Sequence, residues 1–296
     1  MRKLLTSARA EWAGAHKPRQ MKGTRLALPA GVADRYRAKL QFLTDQMTRE
    51  TQRAYEALWK HDDVQAYLAA HKGVAMDISP ASQARILANI LIERFVHLFG
   101  DHAKAAAESM ANQADAASSA ALFQSLKDLS GGLSFKTKGV FTPVMREFMK
   151  ASIAENVSLI KSIPTQYFRK VEGEINRSII SGGGLEQLTK FFEDQHGIES
   201  RRAKNIAIDQ THKAYNGLNK GRMQAVGIKA FQWIHSGGGM HPRPLHLDTL
   251  NGKTFTFDKL PVIDLDTGER GIPGQAINCR CTMVPVVKFD AEGEPK

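Results

Sequence analysis

Both cysteines of the chain, Cys279 and Cys281, stand two residues apart near its end, and His241 and His246 stand five apart upstream of them. In an extended strand alternate side chains share a face, so the two thiols would point one way and Arg280 the other. With two sulfurs and two nitrogens, His241, His246, Cys279 and Cys281 offer the donor set of a tetrahedral zinc site. The thiols lack the knuckle spacing of a finger or ribbon. The competing reading makes them small buried hydrophobes, with the histidines hydrogen-bonded to nearby backbone. A Cys279–Cys281 disulfide is disfavoured by the dihedral it would need, and two cysteines do not make a secreted scaffold.

The same stretch holds Arg243 and Asp248, so a metal hydrolase or a cysteine nucleophile would find every group it needs here. Inventory is not geometry. No H-E-x-x-H, Gly-x-Ser-x-Gly or phosphate loop is present, and Gly237-Gly238-Gly239 lacks the Lys and Ser or Thr that phosphate loops use. No catalytic residue is therefore assigned, and a zinc-dependent hydrolase acting on nucleic acid or peptide bonds stands as the alternative from a different class. Arg243 and His246 flank Pro244 in a constrained turn, where Arg243 could clamp Asp248 or Asp264.

These residues need a frame. Segments 228–234, 253–257 and 282–287 read as short strands between Gly- and Pro-rich turns, which predicts a small antiparallel sheet with the chemistry on its loops. A helix from about Glu199 to Val226 precedes it. Ala203, Ala207, Gln210, Ala214, Leu218, Gly221 and Ala225 share one face, and most are small, so another backbone can come close. Gln210 and Thr211 then tie the helix to the following loop.

The ordered set Arg202-Ala203-x-x-Ile206-Ala207-x-Asp209-Gln210-Thr211-x-x-Ala214-x-Asn216, Gly227-Ile228, Trp233, Arg243-x-x-His246, Asn251-Gly252 and Asn278-Cys279-Arg280-Cys281 resembles the phage head morphogenesis family, the minor head proteins similar to protein F of phage Mu. The resemblance covers about residues 155 to 287. It implies a virion protein present in few copies, associated with the portal vertex and needed for procapsid assembly. Arg202, Gln210, Thr211, Trp233, Arg243, Asn251, Gly252 and Asn278 carry over as structural motif positions. His241 departs from the pattern, standing where an acidic residue is expected, and Gly237-Gly238-Gly239 lengthens the turn before it. The implied partners are portal protein and capsid or scaffold proteins, in the phage head and, during assembly, the host cytoplasm.

The rest of the chain fits an α+β protein: a mostly helical N-terminal part followed by a helix-plus-small-antiparallel-sheet module. At 296 residues with 42% hydrophobic content, one large or two modest domains can be built. The net charge of +11 favours a polyanionic neighbour, most simply nucleic acid, though acidic protein surfaces would also serve; the resemblance implies double-stranded DNA during packaging or ejection, and a DNA-binding protein stands as a second alternative. No apolar run reaches membrane-spanning length and no signal-peptide core is present, so no membrane partner is expected. Residues 1–30 read as a flexible basic arm, with Arg2, Lys3, Arg9, Lys17, Arg19, Lys22 and Arg25 against the single acid Glu11, available to DNA or to an acidic partner.

Residues 31–150 read as a helical domain, 151–290 as the head-morphogenesis domain and 291–296 as a tail. Within the helical part, an amphipathic helix runs from Gly31 to Lys60. A second, opened by Ser79-Pro80, ends at Gly100, where Asp101 caps an alanine-rich segment. Further breaks are expected at Pro164 and Gly197.

Overall fold

The computed structural model describes residues 20–60, 80–127, 139–181, 185–237 and 242–288. In chain order it contains β1 (Gln20–Lys22), α1 (Ala30–Trp59), α2 (Pro80–Lys127), α3 (Pro143–Ser181), α4 (Leu185–Ala225), β2 (Ala230–Ile234), a short π-helix (Leu245–Leu250), β3 (Thr254–Thr256) and β4 (Thr282–Lys288). The fold is α+β, with long helices leading into a small antiparallel sheet. Among the described residues, no helix is long and apolar enough to cross a membrane.

Helix α1 forms where the apolar stripe predicts it. Val32, Tyr36, Leu40, Leu43, Met47 and Tyr55 are all buried. The expected breaks at Gly100, Pro164 and Gly197 do not occur; each lies inside a continuous helix. A glycine costs a helix about 1 kcal/mol relative to alanine, and side chains buried on both sides of these positions outweigh it. Phe95, Phe99, Ala103 and Ala107 continue the apolar face through Gly100, and Phe192 and Glu199 are buried either side of Gly197. Pro164 removes one ladder donor but sits among buried Ile160, Ile163, Tyr167 and Phe168, whose packing holds both flanks helical.

The chain forms two compact units that interleave along the sequence. One comprises residues 1–34, 109–153 and 208–296, the other residues 35–108 and 154–207. One division between the units, at residues 153/154, lies close to the boundary expected near residue 150, inside the continuous helix α3.

The second unit is helical, with aromatic pairs at its centre: Tyr55 stacks on Phe192 at 5.6 Å and Phe95 on Phe168 at 6.0 Å. Two of its buried hydroxyls find partners, Tyr36 donating to Asn156 Oδ1 and Tyr55 to the Ala84 carbonyl, both at 2.9 Å. Arg202 belongs to this unit and donates to Ser162 Oγ at 2.9 Å. Ala203 and Ala207 are fully buried here. Ala207→Leu should cost about 1–3 kcal/mol through overpacking, read from denaturant unfolding; a neutral result would refute close packing on that face.

The first unit contains the sheet, in the order β1-β4-β2-β3 with antiparallel neighbours. Strand β1 was expected to be arm. Gln20, Met21 and Lys22 instead pair with Lys288, Val287 and Val286, and buried Leu26 bridges to Met283. Arg25 donates from Nε to Thr282 Oγ1 at 2.8 Å. Lys22 and Arg25 are thus part of the sheet edge, while Arg2, Lys3, Arg9, Lys17 and Arg19 lie outside the described residues. The small face of α4 admits a close neighbour at Gly221, where a Cβ would stand 2.7 Å from Met145 Cγ; Gly217, beside that face, is closer still, 2.1 Å from Phe148 Cζ.

Candidate metal centre

The core of this unit gathers Leu26, Leu122, Leu126, Met223, Phe231 and Trp233 with Ile263, Cys279, Cys281 and Met283. The two thiols are free, buried, and on the core side of the sheet. Their convergence does not come from strand alternation, because both precede β4. It comes from a turn in which Asn278 takes a left-handed backbone, φ 57°, and Cys279 N–H closes on the Ala276 carbonyl at 3.0 Å. Asparagine is one of the few side chains that tolerates that conformation.

His246 enters from the other side. Pro244 presets the start of the π-helix, and the Arg243 carbonyl accepts the His246 and Leu247 N–H groups at 3.0 Å each. The imidazole is buried, with Nε2 2.9 Å from the Ile263 carbonyl oxygen. A carbonyl only accepts, so Nε2 carries the proton and Nδ1 holds the lone pair in the neutral ring. That nitrogen faces Cys279 Sγ at 3.5 Å and Cys281 Sγ at 3.8 Å. Trp233 walls the site edge-on, its ring centroid 5.1 Å from the imidazole.

The electrostatics follow from this packing. Donation from the Cys281 thiol lowers the pKa of Cys279, burial opposes, and His246 assists; Cys281 is pushed up as the donor. Burial works to lower the pKa of His246, but the contacts to Cys279 and the Ile263 carbonyl override it and the net direction is up.

Of the four proposed ligands, the structure brings together His246, Cys279 and Cys281; His241 lies outside the described residues. Gln210 and Thr211 are buried on α4. Asn251 and Gly252 form a tight turn into β3: Asn251 Oδ1 accepts the His235 N–H at 2.9 Å, and Gly252, at φ 77°, donates to the Trp233 carbonyl at 2.8 Å. Arg243 is exposed, and among the described residues it forms no ion pair with Asp248 or Asp264. Asp264 accepts the N–H groups of Thr267 and Asp266 at 3.1 and 3.0 Å, which hold its carboxyl below the usual range, and the Arg243 charge adds a smaller pull in the same direction.

Asp209 is the residue the sequence did not single out. Its Oδ1 accepts the Asn278 N–H at 2.6 Å, and its Oδ2 pairs with Lys213 Nζ at 2.8 Å and accepts from Gln210 at 3.3 Å. One carboxylate on α4 thereby pins the turn that carries both cysteines. Asn216, two turns further on, donates to the Cys281 carbonyl at 3.4 Å. Their places in the Asp209-Gln210-Thr211 and Asn216 pattern were the available signal. Asp209→Ala should cost about 1.5–3 kcal/mol, the range for a hydrogen bond to a charged group, and should speed reaction of the thiols with a disulfide reagent. Unchanged thiol reactivity would refute the pinning role.

Residues 169–284 match the family described as Phage Mu protein F like protein. An uncharacterized protein from Haemophilus influenzae is 27% identical over 263 residues, a match that covers 85% of this chain and 52% of the relative. The chain thus spans about half the length of that relative. No solved structure matches. The matched segment begins inside α3 and takes in all of α4, strands β2 and β3, the π-helix and the histidine–thiol cluster. Over residues 169–284, this chain is similar to the phage Mu protein F-like family.

Proposed function

We propose that this chain is a minor capsid protein of a tailed bacteriophage, a virion component that acts in head morphogenesis and joins the assembling procapsid near the portal. The observation that carries this reading is the family match, which falls on one long helix and the sheet module it leads into rather than on a scattered set of residues. Its work is binding and architecture, not turnover. The partners are the portal protein and capsid or scaffold proteins. The net charge of +11 supports a further contact with packaged double-stranded DNA.

The test is co-assembly. The chain is expressed with the portal, scaffold and major capsid proteins of its phage, and sedimented heads are analysed by quantitative mass spectrometry. A few copies per head, dependent on the portal, are expected; a chain found only in the soluble fraction would refute the assignment. Deleting residues 1–19 should leave thermal stability unchanged and weaken incorporation. DNA contact predicts affinity for duplex that falls steeply with salt.

A further inference from the structure

We propose that His246 Nδ1, Cys279 Sγ and Cys281 Sγ together bind a zinc-class divalent cation. The inference concerns this local site and does not depend on the head-assembly reading. Its first support is spacing. With Zn–S about 2.3 Å and Zn–N about 2.0–2.1 Å, a tetrahedral centre sets its sulfur and nitrogen ligands about 3.5–3.6 Å apart. The two sulfurs stand 3.5 and 3.8 Å from Nδ1, and all three donor atoms lie within 4.8 Å of one another.

The second support is orientation. The Ile263 carbonyl takes the proton-bearing Nε2 and turns the lone pair of Nδ1 toward the thiols, the arrangement by which an outer hydrogen bond fixes a ligating histidine. Cys281 gives its proton to Cys279 rather than to the imidazole, yet its sulfur still stands 3.8 Å from Nδ1, within the spacing a shared cation sets. The third support is chemistry: two sulfurs and an imidazole suit zinc over magnesium or calcium, which take oxygen donors. The three groups supply three corners of a tetrahedron, with water or one further donor at the fourth. Trp233, Leu250 and Ile263 provide an apolar surround.

The experiment uses the full chain, purified under reducing conditions, stripped with a chelator and titrated with zinc and with cobalt(II). One equivalent of zinc is expected by native mass spectrometry, with a thiolate-to-cobalt charge-transfer band and protection of both thiols against a disulfide reagent. His246→Ala, Cys279→Ser and Cys281→Ser should each weaken zinc binding by more than about 100-fold, beyond the loss from changing a group that only hydrogen-bonds to a ligand. Circular dichroism establishes that each variant is folded; if one is not, the cobalt spectrum of the folded wild-type protein decides. A folded, reduced wild-type chain that takes up neither zinc nor cobalt overturns the proposal. So does a site whose affinity survives all three substitutions.

Discussion

Asp115→Ala should lower the unfolding free energy by about 3 kcal/mol, because it leaves a buried guanidinium without its counter-charge. The Arg222 side chain is 3% exposed and Asp115 is 28% exposed, so the arginine carries nearly all of the desolvation. Arg222 Nη2 donates to Asp115 Oδ1 and Nη1 to Ser118 Oγ, which in turn donates to Asn219 Oδ1. Without the carboxylate, one neutral hydroxyl faces the charge. Replacing both partners, as Asp115→Ala with Arg222→Met, should cost less than the single change, since no uncompensated charge remains. Urea unfolding of the wild type and the two variants reads this directly. A single variant no weaker than the double would refute the uncompensated-charge account.

Trp233→Ala should cost about 3–5 kcal/mol, the range for deleting a fully buried aromatic. Trp233 is completely buried at the middle of the unit's core and meets the imidazole of His246 edge-on. The loss therefore has a second reading, at the site: with the wall removed, both thiols should react faster with a disulfide reagent. Trp233→Phe keeps an aromatic edge and should retain most of both properties. A loss below about 1 kcal/mol would place the indole outside the packed core, contrary to its burial.

How much of this could be read from the residues differs from element to element. The stripe of α1, the small face of α4 and the three later strands were legible because burial repeats at the period of each structure. Gly100, Pro164 and Gly197 were misread as ends, since a local penalty of order 1 kcal/mol for glycine carries no information about the packing that offsets it. Strand β1 was hidden for another reason. Gln20 and Lys22 look like tail residues, and the partner that orders them, β4, lies at the far end of the chain. At the candidate site, the types and spacing of His246, Cys279 and Cys281 were enough to nominate them. The turn at Asn278 and its anchor on Asp209 were not, because an acid on a helix is usually only a solvated charge.

The pairing of β1 with β4 bears on when this protein can fold. Gln20 is made well over two hundred residues ahead of its partner Lys288. Loop closure over that separation carries an entropic cost that only the finished sheet offsets. The edge strand, Leu26 and the Arg25–Thr282 contact cannot be in place until β4 has been made. Residues 35–108 and 154–207, by contrast, can complete their aromatic core before residue 208 is added. Folding is thus staggered in time, helical unit first and sheet unit only once β4 has been made.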